Sequence, residues 1–206
     1  MRNVFKLFMT AYLLVSVAMT GVAQKDYSKS EGLLKYVDPY IGSGFHGHVF
    51  VGTSVPYGMV QVGPNNIHKG WDWCSGYHYS DSILIGFSQT HLNGTGCTDL
   101  GDIMIMPMNE IRTERGKQSD ISNGYASKYS HENEIARPEY YSLLVERYNI
   151  KAEMTATDRV GFHRYTYPAG KPASILVNLH EGNSYTKAKM CYVRKVDDYT
   201  IEGYRY

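Results

Sequence analysis

The stretch Lys151-Ala152-Glu153-Met154-Thr155-Ala156-Thr157 alternates polar and apolar residues one for one. That is the period of a strand with one wet face and one buried face. Tyr141 to Arg147, Gly161 to Tyr167, Ser174 to Leu179, Met190 to Val196 and Tyr199 to Tyr204 flank it as short runs rich in β-branched and aromatic residues. Turn formers separate them at Asn149, Asp158, Pro168-Ala169-Gly170 and Asp197-Asp198. No segment sustains a 3.6-residue apolar period, and no internal repeat is visible. The expected fold is all-β, a β-sandwich of two packed and mainly antiparallel sheets joined by long Gly-rich loops. The last run, Tyr199-Thr200-Ile201-Glu202-Gly203-Tyr204, ends almost at the terminus, so the domain is expected to be incomplete there.

Working back towards the N-terminus, Ile103 to Met108 reads as a buried strand, Ser82 to Phe87 as a second and Met59 to Val62 as a third. Arg112 to Arg137 reads as a polar connection. Two stretches, Val37 to Gly63 and Gly70 to Gly101, are dense in glycine and read as loops around these strands. Gln24 to Tyr36 is polar and reads as a tether. Met1 to Ala23 carries Arg2 and Lys6, then an apolar run from Leu7 to Met19, then Gly21-Val22-Ala23. That is the pattern of a secretory signal peptide, so cleavage near Ala23-Gln24 and an exported product without a membrane span are expected. The apolar run is shorter than the roughly 20 residues a spanning helix needs. The organisation expected is therefore a leader at 1–23, a tether at 24–36 and one domain at 37–206.

Composition narrows the function classes. With 43% hydrophobic and 20% charged residues the chain is neither disordered nor collagen-like. The formal charge of +1 gives no electrostatic reason to expect nucleic acid as a partner. Nineteen tyrosines suit half-exposed strands or sugar-contacting surfaces, and composition alone does not separate the two. Three cysteines, Cys74, Cys97 and Cys191, allow at most one internal bridge; a Cys74–Cys97 pair is conceivable, and a free thiol remains in any case.

Three stretches carry chemistry. In Gly42-Ser43-Gly44-Phe45-His46-Gly47-His48 the two histidines would share a face if the chain were extended, but further zinc ligands at a recognisable spacing are missing. Hydrogen-bonding histidines in a Gly-rich loop are the plainer reading. Gly70-Trp71-Asp72-Trp73-Cys74-Ser75-Gly76-Tyr77-His78-Tyr79 offers indole faces for stacking on a sugar ring, with Asp72 and His78 to bond hydroxyls; one of the two tryptophans is expected to be a core pin instead. Thr90 to Asp102 is rich in glycine, hydroxyls and carboxylates. Asp99 and Asp102 could ligate calcium, although capping is the more ordinary role and the spacing is not that of an EF-hand. Asn93-Gly94-Thr95 matches a glycosylation sequon, a short pattern of little weight. Nucleophile elbow, phosphate-binding loop and HExxH are absent from the sequence.

Read in order, Val37-Asp38-Pro39-Tyr40-Ile41-Gly42, Val55-Pro56-Tyr57-Gly58-Met59-Val60-Gln61, Gly70 to Tyr77, Gly86-Phe87-Ser88 and His91-Leu92-Asn93-Gly94-Thr95-Gly96 resemble the N-terminal domain of glycoside hydrolase family 92. The resemblance implies an exported bacterial exo-acting α-mannosidase, found in the periplasm, at the cell surface or in the medium. It implies a calcium-dependent, inverting enzyme in which this β-sandwich precedes a large α/α barrel, with the active site between them. On that reading the general acid, general base and most calcium ligands lie in the barrel, outside this chain, and the partner is a mannose-containing glycan. No catalytic residue and no metal ligand is then expected here. The positions expected to contact substrate are His46, His48, Trp71, Asp72, Trp73, Cys74, His91 and Gly94. Departures from the family pattern are Val51-Gly52-Thr53 in place of Pro-Gly-Ala, Gln89 in place of His and Tyr57 in place of Phe; they bear on linkage preference. A free-standing carbohydrate-binding module, and a secreted protein without a sugar ligand, are the alternatives.

Overall fold

The computed structural model describes residues 32–183 and 187–206. The leader expected at 1–23 and most of the tether lie outside the described residues. The chain divides after Tyr36. In the first unit residues 32–34 form one turn of helix, and the second unit, Val37–Tyr206, holds all the strands found among the described residues.

The alternating stretch folds as its pattern dictates. β6 (Glu134–Arg137), β7 (Tyr140–Val145), β8 (Ile150–Ala156) and β9 (Gly161–Thr166) form a four-stranded antiparallel meander in that order. On β8 the side chains of Ile150, Ala152, Met154 and Ala156 turn inward, while Lys151 and Thr155 are exposed. Neighbouring pairs such as Leu143–Ala152 and Ala152–Tyr165 keep the same face inward across the sheet. The second sheet contains β1 (Thr53–Ser54), β2 (Gln61–Asn66), β3 (Ile83–Ser88), β4 (Met104–Met108) and β10 (Ser174–Asn178) in the order β1-β2-β3-β4-β10, with β5 (Ser127–Lys128) paired to the start of β3. β11 (Cys191–Lys195) and β12 (Ile201–Arg205) form a separate antiparallel hairpin.

The two larger sheets share one core. Val62, Leu84, Phe87, Met104 and Met106 of one sheet pack with Tyr141, Leu143, Val145, Ile150 and Met154 of the other, as a sandwich requires. Each such aliphatic or aromatic side chain contributes about 1.5–3 kcal/mol by leaving water.

Two expectations are corrected. Arg112 to Arg137 is not merely a polar connection: it holds β5, the 3₁₀ turn His131–Asn133 and β6, and it buries Tyr125, Ala126, Tyr129 and Glu134. The signal was weak because its largest inward groups are tyrosines and a carboxylate. The strand expected at Met59–Val62 starts at Gln61 and continues through Gly63-Pro64-Asn65-Asn66. Those residues are poor strand formers by propensity, yet a Cβ at Gly63 would lie 2.3 Å from the Val51 carbonyl oxygen, and the Asn66 side chain donates to the Ile83 carbonyl. Close packing and side-chain bonding override local preference. All three cysteines are free thiols, so the conceivable Cys74–Cys97 bridge is not formed.

Candidate functional site

Three loops converge. The first is wound tightly: Gly42 has φ 84°, and a Cβ at Gly47 would lie only 2.0 Å from the Gly42 carbonyl oxygen, so both positions exclude a side chain. Phe45 and His48 also adopt left-handed backbone, with φ 49° and 55°. The histidines therefore do not share a face through an extended chain. They meet Asp72 through a turn instead, with His46 Nδ1 at 2.5 Å from Asp72 Oδ1 and His48 Nε2 at 3.6 Å. His46 is exposed, whereas His48 is buried and its Nε2 makes no hydrogen bond.

The second loop starts at Gly70, whose φ of 127° suits glycine, and forms the 3₁₀ turn Trp71–Trp73. The two tryptophans part company there. Trp71 is 55% exposed; its Nε1 donates to the Gly96 carbonyl at 3.0 Å, and the His48 ring meets it edge-on at 4.3 Å. Trp73 is a pin: Nε1 donates to Asp81 Oδ2 at 2.8 Å, the ring stacks on His78 at 4.4 Å, and Lys69 sits over its face while pairing with Asp81. Between them, the Asp72 carboxyl is held below the usual carboxylate range, first by its hydrogen bond with His46. Cys74 is fully buried, and its thiol donates to the Thr95 carbonyl.

The third loop is tied to the other two. The Gly94 amide donates to the His48 carbonyl at 2.7 Å. A Cβ at Gly96 would lie 2.7 Å from Trp71 Nε1, so glycine is what lets the indole lie against this backbone. His91 is buried: Nδ1 donates to the Gln61 carbonyl at 2.8 Å, and Nε2 lies 2.9 Å from Asn65 Oδ1 and 3.1 Å from Ser88 Oγ. The Phe50 ring stacks on it at 5.0 Å. Burial pushes the imidazole down to about 4, so it is neutral near pH 7.

Of the eight residues singled out in the sequence, His46, Trp71, Asp72 and Gly94 form a partly exposed group that a ligand can reach. His48, Cys74 and His91 are buried behind them, and Trp73 fixes the loop. Sequence reasoning missed the anchors: Asn65 and Ser88 hold His91, and the Asn183 side chain donates to the Cys74 carbonyl. Two adjacent asparagines inside a strand were the available hint for the first, and nothing local points to the second. An exposed indole face beside a carboxylate held ionised suits a polyol.

The calcium implied by the resemblance needs six to eight oxygen ligands. The residues present do not fit it. Asp99 accepts from the Leu100 amide, Asp102 pairs with Arg205, and among the described residues no group of three or more His, Cys, Asp and Glu side chains is arranged to hold a metal ion.

Comparison with known proteins places this geometry. Structural similarity to a family GH92 α-mannosidase of Bacteroides thetaiotaomicron, solved with mannoimidazole bound, has a TM-score of 0.81 at 38% identity, covering 84% of this chain and 23% of that one. A GH92 inverting mannosidase of the same organism gives 0.57 at 25% identity, over 70% of this chain and 19% of that one. An uncharacterized secreted glycosidase of Arthroderma benhamiae is 30% identical over 154 residues, covering 71% of this chain and 20% of the relative. The chain thus spans about a fifth of the length of each of these proteins. Residues 36–206 match the glycosyl hydrolase family 92 N-terminal domain, and the chain belongs to that family.

Proposed function

We propose that this chain is the N-terminal sandwich of an exported, calcium-dependent, inverting α-mannosidase that removes terminal α-mannosides from glycans. Its three converging loops form one wall of the mannoside pocket. The observation that carries this reading is the meeting of Trp71, Asp72, His46 and Gly94 around one exposed indole. Trp71 stacks on the leaving-group sugar, Asp72 accepts a hydrogen bond from a sugar hydroxyl, and His48 and His91 position the loops. Inversion requires two carboxyl groups about 6.5–9.5 Å apart with a water between them. Asp72 is engaged by His46. On the resemblance to family 92, the acid, the base and the calcium site belong to a following α/α barrel domain. Family membership and the secreted description of the fungal relative support the export of a glycan-cleaving enzyme.

The test is hydrolysis of a chromogenic α-mannoside by the protein containing this domain together with its barrel. Trp71→Ala is expected to raise KM about 10- to 100-fold, because it removes a sugar-stacking face. A chelator should abolish turnover, with calcium restoring it, and the 206-residue chain alone should show none. Unchanged KM in Trp71→Ala would remove the pocket-wall role. The exposed Trp71 face also favours a second reading, a carbohydrate-binding module without catalysis; saturable mannoside binding without turnover in the longer protein would select it.

A further inference from the structure

The outward face of the four-stranded sheet carries a second, unassigned concavity. Phe162 pairs with Thr155 across β9 and β8. Tyr140, one residue before the Tyr141–Met154 pair, comes level with Thr155 from the other side. An aromatic ring thus stands on each side of a small exposed residue, two strands apart. The recess holds about 230 Å³ and is lined by Tyr140, Glu153, Thr155, Phe162 and Arg164 together with Met154. That is below the roughly 300–1,000 Å³ of sites that enclose drug-sized ligands, and it suits a single ring lying across Thr155.

Its chemistry is amphipathic. Phe162 is 65% exposed on a strand whose inward neighbours are half-buried, so a large apolar face is left in water. In the next row Glu153 accepts from Arg164 Nε and Nη2 at 2.9 and 2.8 Å, from Tyr140 Oη at 2.7 Å and from Lys151 Nζ at 3.1 Å. This carboxylate sits on the solvent side of the sheet yet is only 7% exposed, so its partners enclose it. The result is a fixed polar edge beside two rings, with a well-exposed guanidinium at its rim. Arg137 lies over the Tyr140 ring and orients it from the side. Because the carboxylate is paired with two cations, Arg164 and Lys151, the recess repels a cationic ligand and has no open carboxylate for a metal. A pyranose ring matches it: the apolar C–H face covers Phe162, and ring hydroxyls meet the Arg164 guanidinium and the Thr155 edge.

We propose that this recess on the solvent face of the four-stranded sheet is an accessory saccharide-binding site, taking one pyranose unit of a glycan between Tyr140 and Phe162. It is built on elements other than the loops carrying Trp71 and Asp72, and it rests on the glycan-processing reading only for the choice of probe. Its role is to hold a polymeric glycan while chain ends are presented elsewhere.

The experiment is affinity electrophoresis of the 206-residue chain in gels containing yeast α-mannan, backed by chemical-shift mapping with α-methyl mannoside. Mannan should retard the wild type, and Phe162→Ala should weaken retardation at least tenfold. Thr155→Lys, which fills the recess at an exposed position while keeping both rings, should do the same. Tyr199→Ala, which removes an exposed ring from another part of the fold, should retain binding, with shifts centred on β8 and β9. Retardation unchanged in Phe162→Ala and Thr155→Lys, or abolished by Trp71→Ala alone, overturns the proposal, as does absence of retardation of a folded wild-type chain. Mannoside hydrolysis by the longer protein is read separately, so failure here and failure of the proposed function remain distinguishable.

Discussion

Two imidazoles make this fold sensitive to acid. His91 and His163 are both pushed down to about 4 by burial. His91 faces Gln61, Asn65, Ser88 and Phe50, none of them charged. His163 meets Gln89 at 3.2 Å and Tyr165 Oη at 2.9 Å. Below pH 6.5 the unfolded chain takes up a proton at each site that the native state refuses until about pH 4. Stability therefore falls as pH drops through that window. At pH 5 the loss relative to pH 8 is about 2 kcal/mol for His91, and less for His163, whose ring keeps some contact with water. Glu153, held at about 2 chiefly by Arg164, gives up its contribution only below its ordinary value of 4.5. Urea unfolding followed by circular dichroism should show a lower midpoint at pH 5 than at pH 8. His91→Gln and His163→Gln should each flatten the pH slope by about one proton. Equal midpoints at the two pH values, or a wild-type slope retained in both variants, would refute the reasoning.

Other outcomes follow from the same contacts. Trp73→Ala removes the bond to Asp81 and the stack on His78, so it should cost about 2–4 kcal/mol, while Trp71→Ala should cost under about 1 kcal/mol; thermal unfolding separates the two. Gly76→Ala places a Cβ at φ 87° within 3.0 Å of Asn65 Nδ2 and 3.2 Å of His91 Cδ2, and is expected to destabilise by about 1–3 kcal/mol in urea melts. Tyr141→Phe takes a 2.7 Å donor from the buried Glu134 carboxylate, which also accepts from Tyr77 and faces His131; a loss of about 1–3 kcal/mol is expected in the same assay.

The strands around Lys151–Thr157 were legible because alternation is local: each residue's face follows from its neighbour's, and burial of every second side chain sets the register. Membership of the family was legible too, since ordered Gly-rich motifs mark backbone turns that few residues tolerate. β6 was not, because its buried residue is Glu134, satisfied by Tyr77 and Tyr141 from elsewhere in the chain, a pairing that exists only after folding. The loops show the same division. Sequence marked His46, Trp71, Asp72 and His91 alike as ligand contacts, but only the fold decides that Trp71 is open, that Trp73 is spent on Asp81, and that His91 is sealed behind Phe50. Those roles depend on partners distant in the chain, such as Asn183 against Cys74, 109 positions away. Local pattern determined which residues could do chemistry; tertiary packing, by choosing which of them keep contact with water, decided which ones can meet a ligand.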